Sequence, residues 1–146
     1  MAVSREMDLI GATFGGEVDM VAFFADEARA RALLTELLHP DAEFEFIRSA
    51  GEGGAFQEIG AGQGVDGVVE AWGHWLEPYS SYRVFTRGAF PIEDGVLIVV
   101  HASGVTRTAA VALEEDQASV YRFRDGKVSR WEAWLHADDA KAACGL

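Results

Sequence analysis

Apolar residues recur at helical spacing from Val18 to Leu38 (Val21, Phe24, Ala25, Ala28, then Leu33, Leu34, Leu37 and Leu38) with no Pro or Gly, which predicts one amphipathic helix. His39-Pro40 ends it, because the residue before a proline is driven out of the α region. Ser4 to Phe14 predicts a shorter helix, set apart by Gly15-Gly16. In Ala42 to Ile47 the period changes to two, Phe44 and Phe46 alternating with Glu43 and Glu45, so a strand with one buried face follows. The glycines between Gly51 and Gly67 predict a mobile loop, a candidate lid, with at most a short strand near Gln57–Ile59. Val65 to Leu76 predicts a third helix that carries Val68, Trp72, Trp75 and Leu76 on one side and stops at Pro78. The rest reads as strands, Tyr82–Ile92, Val96–Thr106, Asp116–Arg124 and Val128–His136, with turns at Glu93-Asp94-Gly95 and Asp125-Gly126 and a short closing helix over Ala137–Cys144. Helices followed by an antiparallel meander imply an α+β fold, N-terminal helices packed on a curved antiparallel sheet that encloses a pocket.

The last hairpin decides which side chains face that pocket. A two-residue turn at Asp125-Gly126 would set Tyr121 opposite Arg130 and mix polar with apolar residues on each face. A three-residue loop, Arg124-Asp125-Gly126, with Gly126 in a bulge, would set Tyr121 opposite Ser129 and Ser119 opposite Trp131. The second register gathers Ser119, Tyr121, Phe123, Trp131, Ala133 and Leu135 on one face and Arg122, Arg124, Arg130 and Glu132 on the other. A one-residue slip would scramble that segregation, so the bulge is expected.

Composition narrows the function. A chain of 146 residues, 49% hydrophobic, fits a single domain spanning 1–146 with a substantial core. Twelve Lys and Arg against 24 Asp and Glu give a net charge of −12, which repels phosphate backbones and anionic membranes, so no nucleic acid and no membrane partner is expected. Neither a membrane-length apolar run nor a signal sequence is evident, and the lone Cys144 cannot form an internal disulfide, so a soluble, cytoplasmic protein is expected.

Three stretches carry a family likeness: Leu37-Leu-His-Pro-Asp41 running into a strand, Gly67 followed by Trp75-Leu-Glu-Pro78, and the close from Tyr121-Arg-Phe-Arg-Asp-Gly-Lys-Val128 to Gly145-Leu146. Together they resemble the SnoaL-like polyketide cyclases, whose cone-shaped fold is shared with nuclear transport factor 2 and ketosteroid isomerase. The resemblance implies the fold, and it leaves the reaction open, because that architecture hosts isomerases, cyclases, dehydratases, epoxide hydrolases and proteins without chemistry. It also implies that a pocket-facing acid of the cyclases and the isomerase falls at Ser119, and the isomerase's general-base aspartate at Phe46. Neither mechanism carries over intact.

Two function classes follow. One is a cofactor-independent acid–base enzyme acting on a small apolar carbonyl, enol or epoxide compound, with His101 as proton carrier and Tyr121 as hydrogen-bond donor. In it Ser119, Trp131, Trp72, Trp75, Phe44 and Phe46 bind substrate, although the aromatic members would serve equally as core. The orientation of His101 stays open, since Val96-Leu-Ile-Val-Val-His101 is too uniformly apolar to fix its parity. The other class is a non-catalytic ligand-binding or dimerisation module. No metal is expected, because no two histidines have ligand spacing, and His39, His74 and His136 are expected at the surface. The Gly-rich segment lacks nucleotide-binding spacing, and Glu58 within it and the run Glu114-Glu115-Asp116 read as solvated loop. A homodimer is expected through the outer sheet face, around Trp134 and Val120.

Overall fold

A computed structural model describes residues 2–49, 56–108 and 112–146, with side chains described for 7–47, 60–108 and 112–146. The helices are α1 (Ala2–Phe14), α2 (Met20–Ala25), α3 (Glu27–Leu37), α4 (Gly64–Leu76) and α5 (Ala137–Ala143). The strands are β1 (Glu17–Asp19), β2 (Leu38–Ser49), β3 (Phe56–Gln63), β4 (Tyr79–Ile92), β5 (Gly95–Thr106), β6 (Ala112–Arg124) and β7 (Lys127–Trp134). Among the described residues these form one curved, unclosed sheet in the order β1-β4-β5-β6-β7-β2-β3. Every pairing is antiparallel except β2 with β7. The α+β architecture expected from the hydrophobic pattern is therefore present. No helix among the described residues is long and apolar enough to cross a membrane.

Three segments depart from the sequence expectation, each for a local reason. The single helix expected over Val18–Leu38 is β1, α2 and α3. Asp19 accepts hydrogen bonds from the Val21 and Ala22 amides at 3.0 and 3.3 Å, and Asp26 leaves helical geometry (φ −89°, ψ 76°) and accepts from the Arg29 amide at 3.4 Å. An aspartate that caps a new helix competes with continuation of the old one. Helical periodicity survives the break because Met20, Phe23, Ala30, Leu34 and Leu37 all enter one core.

The Gly-rich loop is largely ordered structure. Residues 56–63 form β3 against β2, and α4 begins at Gly64, whereas residues 50–55 and the Glu58 side chain lie outside the described residues. A Cβ on Gly62 would lie 2.4 Å from the Gly67 carbonyl oxygen, so glycine here permits strand and helix backbones to touch. The acidic run Glu114-Glu115-Asp116 likewise belongs to β6.

The β6–β7 hairpin uses neither register considered from sequence. Asp125 and Gly126 both have positive φ (53° and 80°), as a two-residue turn with strand-matched twist requires. The bulge comes later: Phe123 pairs with Val128 and Arg122 with Arg130, which leaves Ser129 extra, its hydroxyl donating to the Arg122 carbonyl at 3.2 Å. Tyr121 therefore opposes Trp131, and Ser119 opposes Ala133. Relative to the expected register the partner moves by two residues, so parity holds and Ser119, Tyr121, Trp131 and Ala133 share the inner face.

Each side of the sheet has its own core. The inner face packs on α1 to α4 through an aromatic interior that includes Phe14, Phe23, Phe44, Phe46, Trp72 and Trp131. On the outer face, Ala137 and Ala140 of α5 cover Leu97, Val99, Val120 and Trp134. Trp134 is 6% exposed and Val120 0%, so the residues expected to anchor a dimer are already buried within the chain.

Candidate functional site

The β6 strand runs through the middle of the sheet and lays Glu115, Gln117, Ser119 and Tyr121 in a row on its inner face, every second residue of an extended chain. The last three line an interior cavity of about 50 Å³, together with Thr86 of β4, Trp72 of α4 and apolar groups such as Ile98. That volume admits about three water-sized groups, far below the ~300–1,000 Å³ usual for a drug-sized ligand.

The polar groups of this row that line the cavity are neutral and mutually positioned. The Trp131 indole N–H donates to Ser119 Oγ at 3.1 Å, and the Tyr121 ring stacks on Trp131 with centroids 5.4 Å apart. Burial raises the Tyr121 hydroxyl well above the ordinary tyrosine pKa, opposed by its hydrogen bond with Ser119, so it stays protonated and able to donate. Tyr82 is pushed up to about 12 by burial. Its hydroxyl donates to Gln117 Oε1 at 3.0 Å, and Gln117 Nε2 donates to Glu115 Oε1 at 3.0 Å. Glu115 reaches the rim, where Oε2 lies 4.0 Å from His136 Nδ1. The Trp72 indole N–H is buried and has no hydrogen-bond partner, an unexplained donor on a residue that lines the cavity.

The sequence-predicted residues divide. Tyr121, Ser119 and Trp72 come together at the cavity. His101 does not. In β5 the inner face takes Val96, Ile98 and Ala102, and His101 continues the outer row of Leu97 and Val99. The β5–β6 pairing has no irregularity that could change this parity, and His101 Nδ1 sits 2.9 Å from Asp116 Oδ1, directly opposite on β6. An imidazole on that side does not line the interior cavity, whereas the expected role as proton carrier requires it to point inward. Phe44 touches Phe46 and Trp131, and all three touch Trp72, at centroid distances of 4.8–6.1 Å, so they pack together as core. Trp75 stacks on Phe46 at 5.0 Å and faces an open groove of about 540 Å³ between β3 and α4, near Gln63, Glu70 and His74. Glu70 and His74 there are exposed and 4.0 Å apart.

Gln117 is not among the residues expected at the site, and Glu115 is expected in a solvated loop. The signal was available: counting back by two from Tyr121 and Ser119 reaches both, before any turn residue intervenes. The cluster of acids obscured it. Among the described residues, no three His, Cys, Asp or Glu side chains gather as a metal site requires.

Residues 18–131 match the family model described as the SnoaL-like domain. No curated protein sequence matches. Solved structures do: a protein named as a SnoaL-like polyketide cyclase from Jannaschia sp. CCS1 superposes with a TM-score of 0.67 at 12% identity, covering 99% of this chain and 94% of its own. TerC, co-crystallised with polyporic acid, gives 0.59 at 20% identity over 97% and 98%. A protein of ketosteroid isomerase-like fold from Catenulispora acidiphila, in complex with trimethylamine, gives 0.59 at 17% identity over 94% and 92%. At these identities the structural likeness establishes the fold.

Proposed function

The chain belongs to the SnoaL-like domain family, and from that premise we propose that its interior cavity binds a small, neutral compound through a carbonyl or epoxide oxygen. The observation that carries this reading is the chemistry of the lining: Gln117, the unpartnered Trp72 N–H and one hydroxyl of the mutually bonded Ser119 and Tyr121 can donate, and apolar side chains supply the rest. A buried donor without an acceptor costs about 1–3 kcal/mol, so an oxygen acceptor is the complement of this wall. Cations gain nothing from it, and an anion would enter without a counter-charge. The small-molecule complexes of TerC and the Catenulispora protein support ligand binding as a use of the fold. The size of the cavity limits the ligand to a few heavy atoms, or to the carbonyl end of a longer molecule. The whole of residues 1–146 acts as one unit in this reading, and a homodimer on the outer face would rest on the exposed Phe85 instead of Trp134.

Mass spectrometry of small molecules released from the purified native protein tests this. A neutral carbonyl or epoxide compound, lost from a Ser119→Val, Tyr121→Phe double variant, is expected. A cationic or carboxylate ligand would refute the reading.

Catalysis is the second reading, and it draws on one observation, the Glu115 carboxylate bonded to Gln117 on the inner face. A carboxylate at the rim can accept an α-proton from a polarised ketone that extends to it. Protein-dependent deuterium uptake into the methyl groups of acetone in heavy water, abolished by Glu115→Gln, is the expected result, and uptake no faster than buffer would dismiss it.

A further inference from the structure

We infer that Gln117 is the specificity-determining donor of the cavity, and that Glu115 and Tyr82 are positioning residues that fix its amide in the donating orientation. The inference deepens the carbonyl-binding reading above and rests on it.

A glutamine amide can occupy a site in two orientations, exchanging its oxygen and its nitrogen. Here the choice is forced. Glu115 Oε1 lies 3.0 Å from one amide terminus, and a carboxylate only accepts, so Nε2 must face it. Oε1 then faces Tyr82, whose hydroxyl donates to it at 3.0 Å and stays protonated because burial raises its pKa. The flipped amide would set its oxygen against the carboxylate and lose that bond. Nε2 carries two hydrogens, and Glu115 takes one. The other remains for the cavity that Gln117 lines. Gln117 is 7% exposed and Tyr82 0%, so water cannot substitute freely and the arrangement is held by packing.

The consequence is selectivity by acceptor. With the amide locked, the cavity distinguishes a ligand with an oxygen acceptor from a hydrocarbon of the same shape, because only the former satisfies the buried N–H. Replacing Glu115 by glutamine removes the lock, since an amide at 115 can accept from or donate to either terminus of Gln117.

Solution NMR on the full chain reads this directly, with acetone as the probe and isobutene as its match in shape without the oxygen. Acetone is expected to shift the Gln117 side-chain amide pair together with the Ile98 and Val100 methyl resonances, whereas isobutene shifts the methyls alone. Gln117→Leu should weaken acetone about tenfold and leave isobutene unchanged, in keeping with loss of one buried hydrogen bond. Glu115→Gln should split or broaden the Gln117 amide pair and weaken acetone several-fold, and Glu115→Asp, which keeps an acceptor-only group, should restore part of both. The wild-type titration needs no variant to fold. If acetone moves the cavity methyls but not the Gln117 amide, or binds Gln117→Leu as tightly as the parent, the assignment of Gln117 is wrong while the cavity reading stands. If acetone moves no cavity methyl, the cavity reading falls, and this inference with it.

Discussion

Arg130→Met should destabilise the protein by about 3 kcal/mol, and the cause lies on the outer face of β2 and β7. Arg130 serves three carboxylates: Nη1 meets Glu43 at 2.8 Å, Nε meets Glu132 at 3.0 Å, and Nη2 pairs with Glu45. Glu45 and Glu132 stand directly opposite each other on the parallel pair, with side chains only 17% and 15% exposed. Like charges facing across strands are destabilising, and the guanidinium between them offsets that repulsion. Removing one partner of a buried ion pair costs about 3–5 kcal/mol. Partial solvation lowers that figure, and Glu43, 65% exposed, adds little because water replaces the arginine. A loss of ~3 kcal/mol is a large share of the 5–15 kcal/mol typical of a domain. Urea unfolding followed by tryptophan fluorescence should show a lower midpoint with an unchanged slope. Adding Glu45→Gln and Glu132→Gln to Arg130→Met should recover more than half of the loss, because the stranded charges are then gone. A single variant within about 0.5 kcal/mol of the parent, the range of ordinary surface substitutions, would refute this reasoning.

Two further outcomes follow from the placement of individual groups. His101→Ala should cost no more than about 1 kcal/mol and leave acetone affinity in the cavity unchanged, since His101 pairs with Asp116 at a partly exposed outer position; weakened binding in an NMR titration would contradict that placement. Tyr82 has a folded-state pKa of about 12 against an ordinary 10.0, so its stabilising contribution, on the order of 3 kcal/mol, is complete below pH about 10 and is lost as pH rises from 10 toward 12. The urea midpoint should therefore fall across that window, more steeply in the parent than in Tyr82→Phe, with the buried Tyr121 acting in the same direction; equal slopes would argue that Tyr82 ionises freely in the fold.

How far the sequence led can be judged residue by residue. Strands β4 to β7 were legible because alternation and turn residues are local signals. The shared face of Ser119, Tyr121 and Trp131 followed from parity, which survived although the chain achieves it with a two-residue turn and a bulge at Ser129. His101 was ambiguous because both faces of β5 are apolar: Val96 and Ile98 enter the inner core, Leu97 and Val99 the core under α5. Only its non-local neighbour Asp116 settles its side. The break at Asp26 was hidden because both helices feed one core, so periodicity persisted across it. Glycines at 62 and 67 suggested flexibility when they serve close approach, a distinction that depends on what lies opposite. Glu115 and Gln117 were masked by neighbouring acids, and their alternation became meaningful only once β6 was known to begin at Ala112.

The central claim is that the donors of the interior cavity hold a neutral oxygen acceptor, and a crystal structure of the protein soaked in acetone tests it most directly. The account predicts acetone between β6 and Trp72, its oxygen within about 2.7–3.2 Å of Gln117 Nε2, Tyr121 Oη or Ser119 Oγ. Acetone in the groove beside Trp75 and His74, with none in the cavity, would contradict it.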